Sequence, residues 1–548
     1  MKNEYNSPHG IGRADNKPTE KLASHSMTDT LSLDTFERIA LGQRPFTLSE
    51  PQWASLHKTH DYLLAQIARR RLIYGVTTGY GPLATTYVEP HHSEELQQNL
   101  VHHLCSGVGE ALNRTQTRAL ITARLLSLSR GYSGASPALV QRLIDCLNED
   151  FVPEIPSQGT VGASGDLTPL AHLARALSGG GRVRLKGRDW QPAEMAHREL
   201  GWQPLQLAGK DAIALVNGTS VTAGIAALNG ALASRLLGLS GALTLLYTEL
   251  LHGHREAFHP LIGEVRPHPG QQSMHHWLWQ ASADSERLQP WSETGRFLPH
   301  AGQTEIRQDQ PLPQDAYTMR CAPQALGAVL DSIDQHNSVA QRELSSVTDN
   351  PLLFAGQDTV LHGGNFFGQH LAFASDHLRN AVIQMALYSE RRIARITDPL
   401  RNGGLPAFMQ GHQTGLHSGF MGAQVTATAL VAELRSDAIP ASIQSIPTNA
   451  DNQDIVPLGT IAARKAALAL NTLQKLLAIE AMVLSQAMDI EGRSGFSSSS
   501  RQLQARVRQS VRRLDGDRPL AEDIEALAEK LADPDTPWSA PVTPMSSP

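Results

Sequence analysis

Cysteine is scarce: Cys105, Cys146 and Cys321 are the three in 548 residues. So few argue against a disulfide framework, and no paired Cys/His spacing offers a zinc site. A reducing cytoplasm is the simplest setting for such a chain. Excess charge is lacking too, with 47 basic and 53 acidic side chains and a net charge of −6. The basic residues are scattered apart from Arg69-Arg70-Arg71, so nothing electrostatic favours nucleic acid or an anionic membrane as partner. The opening stretch, MKNEYNSPHGIGRADNKPTEK, lacks the apolar run of a secretory signal. No internal repeat is evident.

One run lacks charge altogether. Ala212 to Ser234 spans 23 positions without an ionisable side chain, long enough to cross a bilayer. Asn217, Thr219, Ser220, Thr222, Asn229 and three glycines interrupt it, so a helix buried on all sides of a helical body is the expected form. Helical spacing predicts helices near 93–130, 136–148, 211–252, 323–345, 366–398, 418–436 and 459–490, and a short strand at Arg182–Leu185. The expected fold is mainly α, with a long central helix bundle, and oligomeric. Residues 1–30 read as a disordered lead-in and 534–548 as a loose Pro- and Ser-rich tail. Between them lie an N-terminal domain (31–210) and a helical bundle domain (211–533).

The segment GTVGASGDLTPLAHLARALSGGG, Gly159 to Gly181, sets a glycine-rich turn before a helix that stops at three glycines. If the turn brings the Gly165 nitrogen onto the Ala163 carbonyl carbon, the backbone can cyclise, because glycine permits the close approach. Loss of water from the ring and from Ser164 then leaves an exocyclic methylidene, an electrophile no ordinary side chain supplies. A helix N-terminus behind it favours negative charge developing on the ring oxygen. The tripeptide alone is common, and a glycine turn before a helix is also a generic phosphate cradle, although the lysine of a P-loop is missing.

The wider pattern resembles the histidine, phenylalanine and tyrosine ammonia-lyases and aminomutases. It is carried by YGVTTGYGPLA (74–84), LQQNLVHHLCSGVG (96–109), the Ala163-Ser164-Gly165 segment, ALVNGTS (214–220), QDAYTMRCAPQ (314–324), VTDNP (347–351), HGGNFFGQH (362–370), SGFMGAQVTATAL (418–430) and TNADNQD (448–454). The resemblance implies that Ala163-Ser164-Gly165 becomes 4-methylidene-imidazol-5-one (MIO). It implies that Tyr74 takes the substrate's β-proton, that Arg320 and Asn350 hold its carboxylate, and that Tyr317 and Phe366 stand near the MIO. Asn217 would contact the MIO and Gln453 would line the site, with Gln324 a weaker candidate. A homotetramer whose sites draw on three subunits is implied as well.

The resemblance also bears on the substrate. His103-Leu104 is similar to the pair in bacterial tyrosine ammonia-lyases, where phenylalanine enzymes carry Phe-Leu and histidine enzymes Ser-His. An imidazole partner rewards a buried phenol hydroxyl that an apolar site would strand. Successive helix positions turn by about 100°, so His102 and His103 cannot both face the ring. Asn449 fits the same branch. His417, Pro447 and Asp451 depart from close relatives. The lead reading is deamination of L-tyrosine to 4-coumarate and ammonia; the others are a tyrosine 2,3-aminomutase, a phenylalanine or histidine ammonia-lyase, and an inert helical scaffold.

Overall fold

The computed structural model describes residues 31–289, 314–411 and 415–535; the expected lead-in and nearly all of the expected tail lie outside them. The chain is mainly α-helical. Its N-terminal part carries α1 (Leu33–Leu41), α2 (Glu50–Ala68), α3 (Ser93–Leu104), α4 (Arg114–Leu128), α5 (Pro137–Asn148), α6 (Leu167–Leu177) and α7 (Ala193–Leu200). Then come α8 (Asp211–Val216), α9 (Ser220–Leu250), α10 (Pro260–Glu264), α11 (Pro269–Ala281), α12 (Tyr317–Arg320) and α13 (Ala322–Leu344). The last five are α14 (Gln369–Thr397), α15 (Met421–Ser436), α16 (Gly459–Glu491), α17 (Ser498–Ser510) and α18 (Ala521–Ala532). Strands are short and antiparallel: β1 (Val108–Ala111) with β3 (Pro156–Gln158), β2 (Phe151–Pro153) with β4 (Arg182–Leu185) and β5 (Gln191–Pro192), and β6 (Leu352–Phe354) with β7 (Thr359–Leu361).

Two expected helices are broken, each for a local reason. The stretch 93–130 divides because Gly107 and Gly109, the latter at φ +86°, lead into β1 and a new start at Asn113. There Asn113 Oδ1 accepts from the Gln116 N–H at 2.9 Å and Gln116 Oε1 from the Asn113 N–H at 3.2 Å, a reciprocal cap. The stretch 211–252 divides at Asn217, whose backbone is extended. The remaining helix and strand expectations agree to within a few residues.

Helices α9, α13, α14 and α16 form the bundle, around a core that includes Leu243, Leu330, Val382, Leu473 and Leu477. Helix α9 is apolar all round and belongs to two cores: Val221 and Ile225 pack with the N-terminal part, Leu236 to Leu250 with the bundle. Both α9 and α16 are long and apolar enough to span a membrane, but 78% and 72% of their most apolar windows are buried inside the fold. Deep in the bundle Arg392 of α14 pairs with Glu480 of α16 at 2.5 Å, neither side chain exposed. Breaking so buried a pair costs about 3–5 kcal/mol.

On α13, burial and then the charge of Asp331 push the Asp334 carboxyl up to about 6. Its pKa in the folded chain lies above the unfolded value, so the folded state binds the extra proton and stability falls as pH rises from 4 to 6. Asp334→Asn should therefore stabilise the protein at pH 7, by about 1 kcal/mol once its partial exposure is discounted. Denaturation at pH 7 and pH 4 checks this; an equal gain at both would disprove the assignment.

Candidate active site

The glycine turn is built by backbone pressed on backbone. Gly165 sits at φ +76°, and a Cβ there would lie 2.3–2.5 Å from the backbone of Gly218. The Asp166 N–H donates to the Gly218 carbonyl at 2.8 Å. Asp166 precedes α6 and is buried, accepting from the Thr222 N–H at 2.8 Å and from the hydroxyls of Thr222 and Thr460. Burial raises its pKa against the pull of those donors.

Gly218 is fixed from the far side as well. Arg124 of α4, wholly buried, donates through Nη1 to the carbonyls of Thr348 at 3.0 Å and Asn217 at 3.3 Å. A Cβ on Gly218 would lie 1.9 Å from that nitrogen. So the break between α8 and α9 is a close-packed junction facing the tripeptide. The Asn217 side chain is buried there with Oδ1 unpartnered.

Ala163 and Ser164 line two adjoining chambers, with Tyr74, Asn217 and Gln453 shared between them. The larger, about 710 Å³, has an apolar side made by Leu100, Leu104, Ile213 and Val216 and includes His103 and Asn449. The smaller, about 310 Å³, includes Asn350 and Phe366. The Gln453 amide donates to Ser164 Oγ at 3.2 Å. Asn350 Oδ1 accepts from the Gly363 N–H at 2.7 Å.

Tyr74 is held at both ends. Its N–H donates to His362 Nε2 at 3.2 Å, and its hydroxyl oxygen accepts from the Gly81 N–H at 2.8 Å. Tyr80 meets it edge-on at 6.3 Å. Burial, then the neighbouring Tyr74, push the Tyr80 phenol far above its ordinary range, which favours its protonated form. Gln97, fully buried, donates to Tyr80 Oη and to the Gly75 carbonyl and accepts from the Ile213 N–H. Residues 449–451 run through three left-handed positions, at φ +55°, +52° and +60°, strained for Ala450 and Asp451. Asn449 packs against Gly81, a Cβ on which would lie 2.8 Å from Asn449 Nδ2.

His103 Nδ1 lies 3.0 Å from the Asn99 carbonyl, which can only accept, so Nδ1 carries a proton. In the neutral ring Nε2 is then an acceptor. His102 lines a different cavity, beside Arg175 and Leu205, as helical geometry requires.

Three predicted residues are not brought to the tripeptide. Arg320 and Gln324 line a separate cavity of about 630 Å³ with His254 and Asp315, and Tyr317 is 67% exposed. Arg320 donates to the Asp315 carbonyl at 3.1 Å and to Gln314 Oε1 at 3.1 Å, and stacks on Tyr317. Among the departures, His417 pairs with Asp517 and lines neither chamber; Asp451 and Pro447 are exposed and line neither. The sequence reading missed Tyr80, Gln97, Arg124 and His362. Tyr80, Gln97 and His362 stood inside quoted motifs; nothing local marked Arg124.

The tripeptide, held by the close approach of Gly165 and Gly218, lies beside Tyr74 in a chamber lined partly by apolar side chains. A family model described as aromatic amino acid lyase matches residues 31–512. The chain is 44% identical to a tyrosine ammonia-lyase from Cereibacter sphaeroides, over 94% of this chain and 98% of the relative. It is 40% identical to one from Cupriavidus metallidurans, over 91% and 94%. The phenylalanine aminomutase of Pantoea agglomerans has a similar structure, with TM-score 0.88 and 34% identity over 92% of this chain and 98% of that one. The chain belongs to the aromatic amino acid lyase family, and it is a carbon–nitrogen lyase.

Proposed function

We propose that the chain converts L-tyrosine to 4-coumarate and ammonia, with an MIO formed from Ala163-Ser164-Gly165. The observation that carries this is a single chamber lined by Ser164, Tyr74 and His103 together. The close approach of Gly218 to Gly165 and the unspent Asn217 Oδ1 suit ring formation at the tripeptide. The formed group supplies an electrophile for the substrate's amino group. Tyr74 takes the β-proton, a positioned base being worth about 10²–10⁴ in rate. His103 Nε2 accepts the substrate's phenol O–H, with Leu104 and Asn449 beside the ring. Asn350 and Gln453 border the amino acid end and Phe366 packs there.

Arg320 and Tyr317 belong to this reading through assembly. They line another part of the same chain, so a second subunit of a homotetramer delivers them, Arg320 pairing with the substrate carboxylate. A tyrosine 2,3-aminomutase uses the same parts, and the likeness to an aminomutase structure keeps it as the second reading. Incubation with tyrosine, phenylalanine and histidine, followed by near-UV absorbance and product analysis, separates the readings. Coumarate supports the lead, β-tyrosine the mutase, and urocanate alone excludes both.

His103→Phe should turn preference toward phenylalanine. Stranding the phenol hydroxyl costs about 1–3 kcal/mol, roughly ten- to hundredfold in kcat/KM for tyrosine. Unchanged selectivity would place the ring contact elsewhere.

A further inference from the structure

We propose that His362 is a positioning residue for the lyase reaction, holding Tyr74 at the point where it takes the β-proton. This rests on the assignment of Tyr74 as base. The segment after α2 has no regular structure around Tyr74, so its backbone must be held by particular bonds. The Ile73 N–H donates to Thr77 Oγ1 and the Gly75 N–H to Thr78 Oγ1; those of Val76 and Thr77 go to the Ile73 carbonyl. These four are met within the turn. The Tyr74 N–H instead leaves it, to a ring nitrogen 288 residues away.

The place it reaches is firm. His362 follows β7, and the β6–β7 hairpin joins the turn through a buried cluster of Leu63, Ile73, Val76, Leu353 and Val360. The next residue, Gly363, donates its N–H to Asn350 Oδ1. One dipeptide therefore ties the base to Asn350, which lines the smaller chamber with it. An N–H only donates, so His362 Nε2 accepts and the ring is neutral, with its proton on Nδ1. Although the side chain is exposed, its partial desolvation and then the charge of Arg71 lower its pKa, which favours that form. His362 lines neither chamber, so its effect on the reaction passes through Tyr74.

Displacement of a reacting group by about 1 Å can cost about a hundredfold in rate. His362→Leu removes the acceptor and should lower kcat about ten- to hundredfold with KM changed less than about threefold. The kinetic isotope effect with tyrosine deuterated at the β-carbon should rise, because proton removal becomes slower than the other steps. His362→Gln places an amide oxygen within reach and should restore most of kcat. Melting temperature and oligomer size are measured for each variant. A leucine variant within about twofold of wild-type kcat, a loss confined to KM, or a folded glutamine variant no better than leucine would overturn the proposal. Full activity in Tyr74→Phe, or no deamination by the wild type, would instead overturn the reading it rests on, and the tether with it.

Discussion

Ser164→Ala is expected to give a protein that folds, assembles and does nothing to tyrosine. Ser164 is half-buried, and its side chain accepts a hydrogen bond from Gln453. Losing that bond costs about 0.5–1.5 kcal/mol, little for a chain of this size. The contact between Gly165 and Gly218 involves backbone atoms alone and remains. What disappears is the hydroxyl whose elimination would create the proposed methylidene. Activity should fall by about three to six orders of magnitude, as when a residue that carries a covalent step is removed. Intact mass checks the cause: the wild type should be lighter than its sequence by two waters, and the variant should not show that loss. Deamination retained by the variant, or a wild-type mass equal to that of the unmodified sequence, would remove the MIO from the mechanism. Gln453→Ala makes a useful contrast, since the tripeptide is intact and mass loss is expected to proceed.

Much of this site could be read from the chain because its parts lie in short, distinctive stretches. Ala163-Ser164-Gly165, Tyr74, His103 and Asn217 each sit in a motif, and the fold brings these four to one place. The helix breaks were harder. Gly107 and Gly109 were visible punctuation, yet apolar spacing on either side suggested one helix. Asn217-Gly218 gave less warning, since the flanking residues are apolar on every face. The break there is imposed by Gly165, Arg124 and Thr348, none of them near in sequence. Gln97 and Arg124 show the same limit. A buried glutamine that ties Gly75, Tyr80 and Ile213 together looks in sequence like any surface glutamine of an amphipathic helix.

Arg320 raises a different question, answered by mixing subunits. Tyr74→Phe removes the proposed base, and Arg320→Met the proposed carboxylate clamp; each homo-oligomer should lose activity by about two orders of magnitude or more. Arg320 and Tyr74 line different cavities of one chain. If a site takes Tyr74 from one subunit and Arg320 from another, mixed oligomers contain sites in which both residues are native. With random assembly of equal amounts, about a quarter of the sites are restored, because each contributing subunit has an even chance of being the right variant. Co-expressing the two variants should therefore recover activity that neither shows alone. Mixing them after separate assembly should recover it only on the timescale of subunit exchange. The outcome depends on geometry alone: sites built within single chains would yield no recovery at any ratio. Recovery would identify the exposed Tyr317 and the neighbouring Arg320 as one subunit's contribution to another's active site, and would explain why Arg320 lines a cavity separate from that of its own tripeptide.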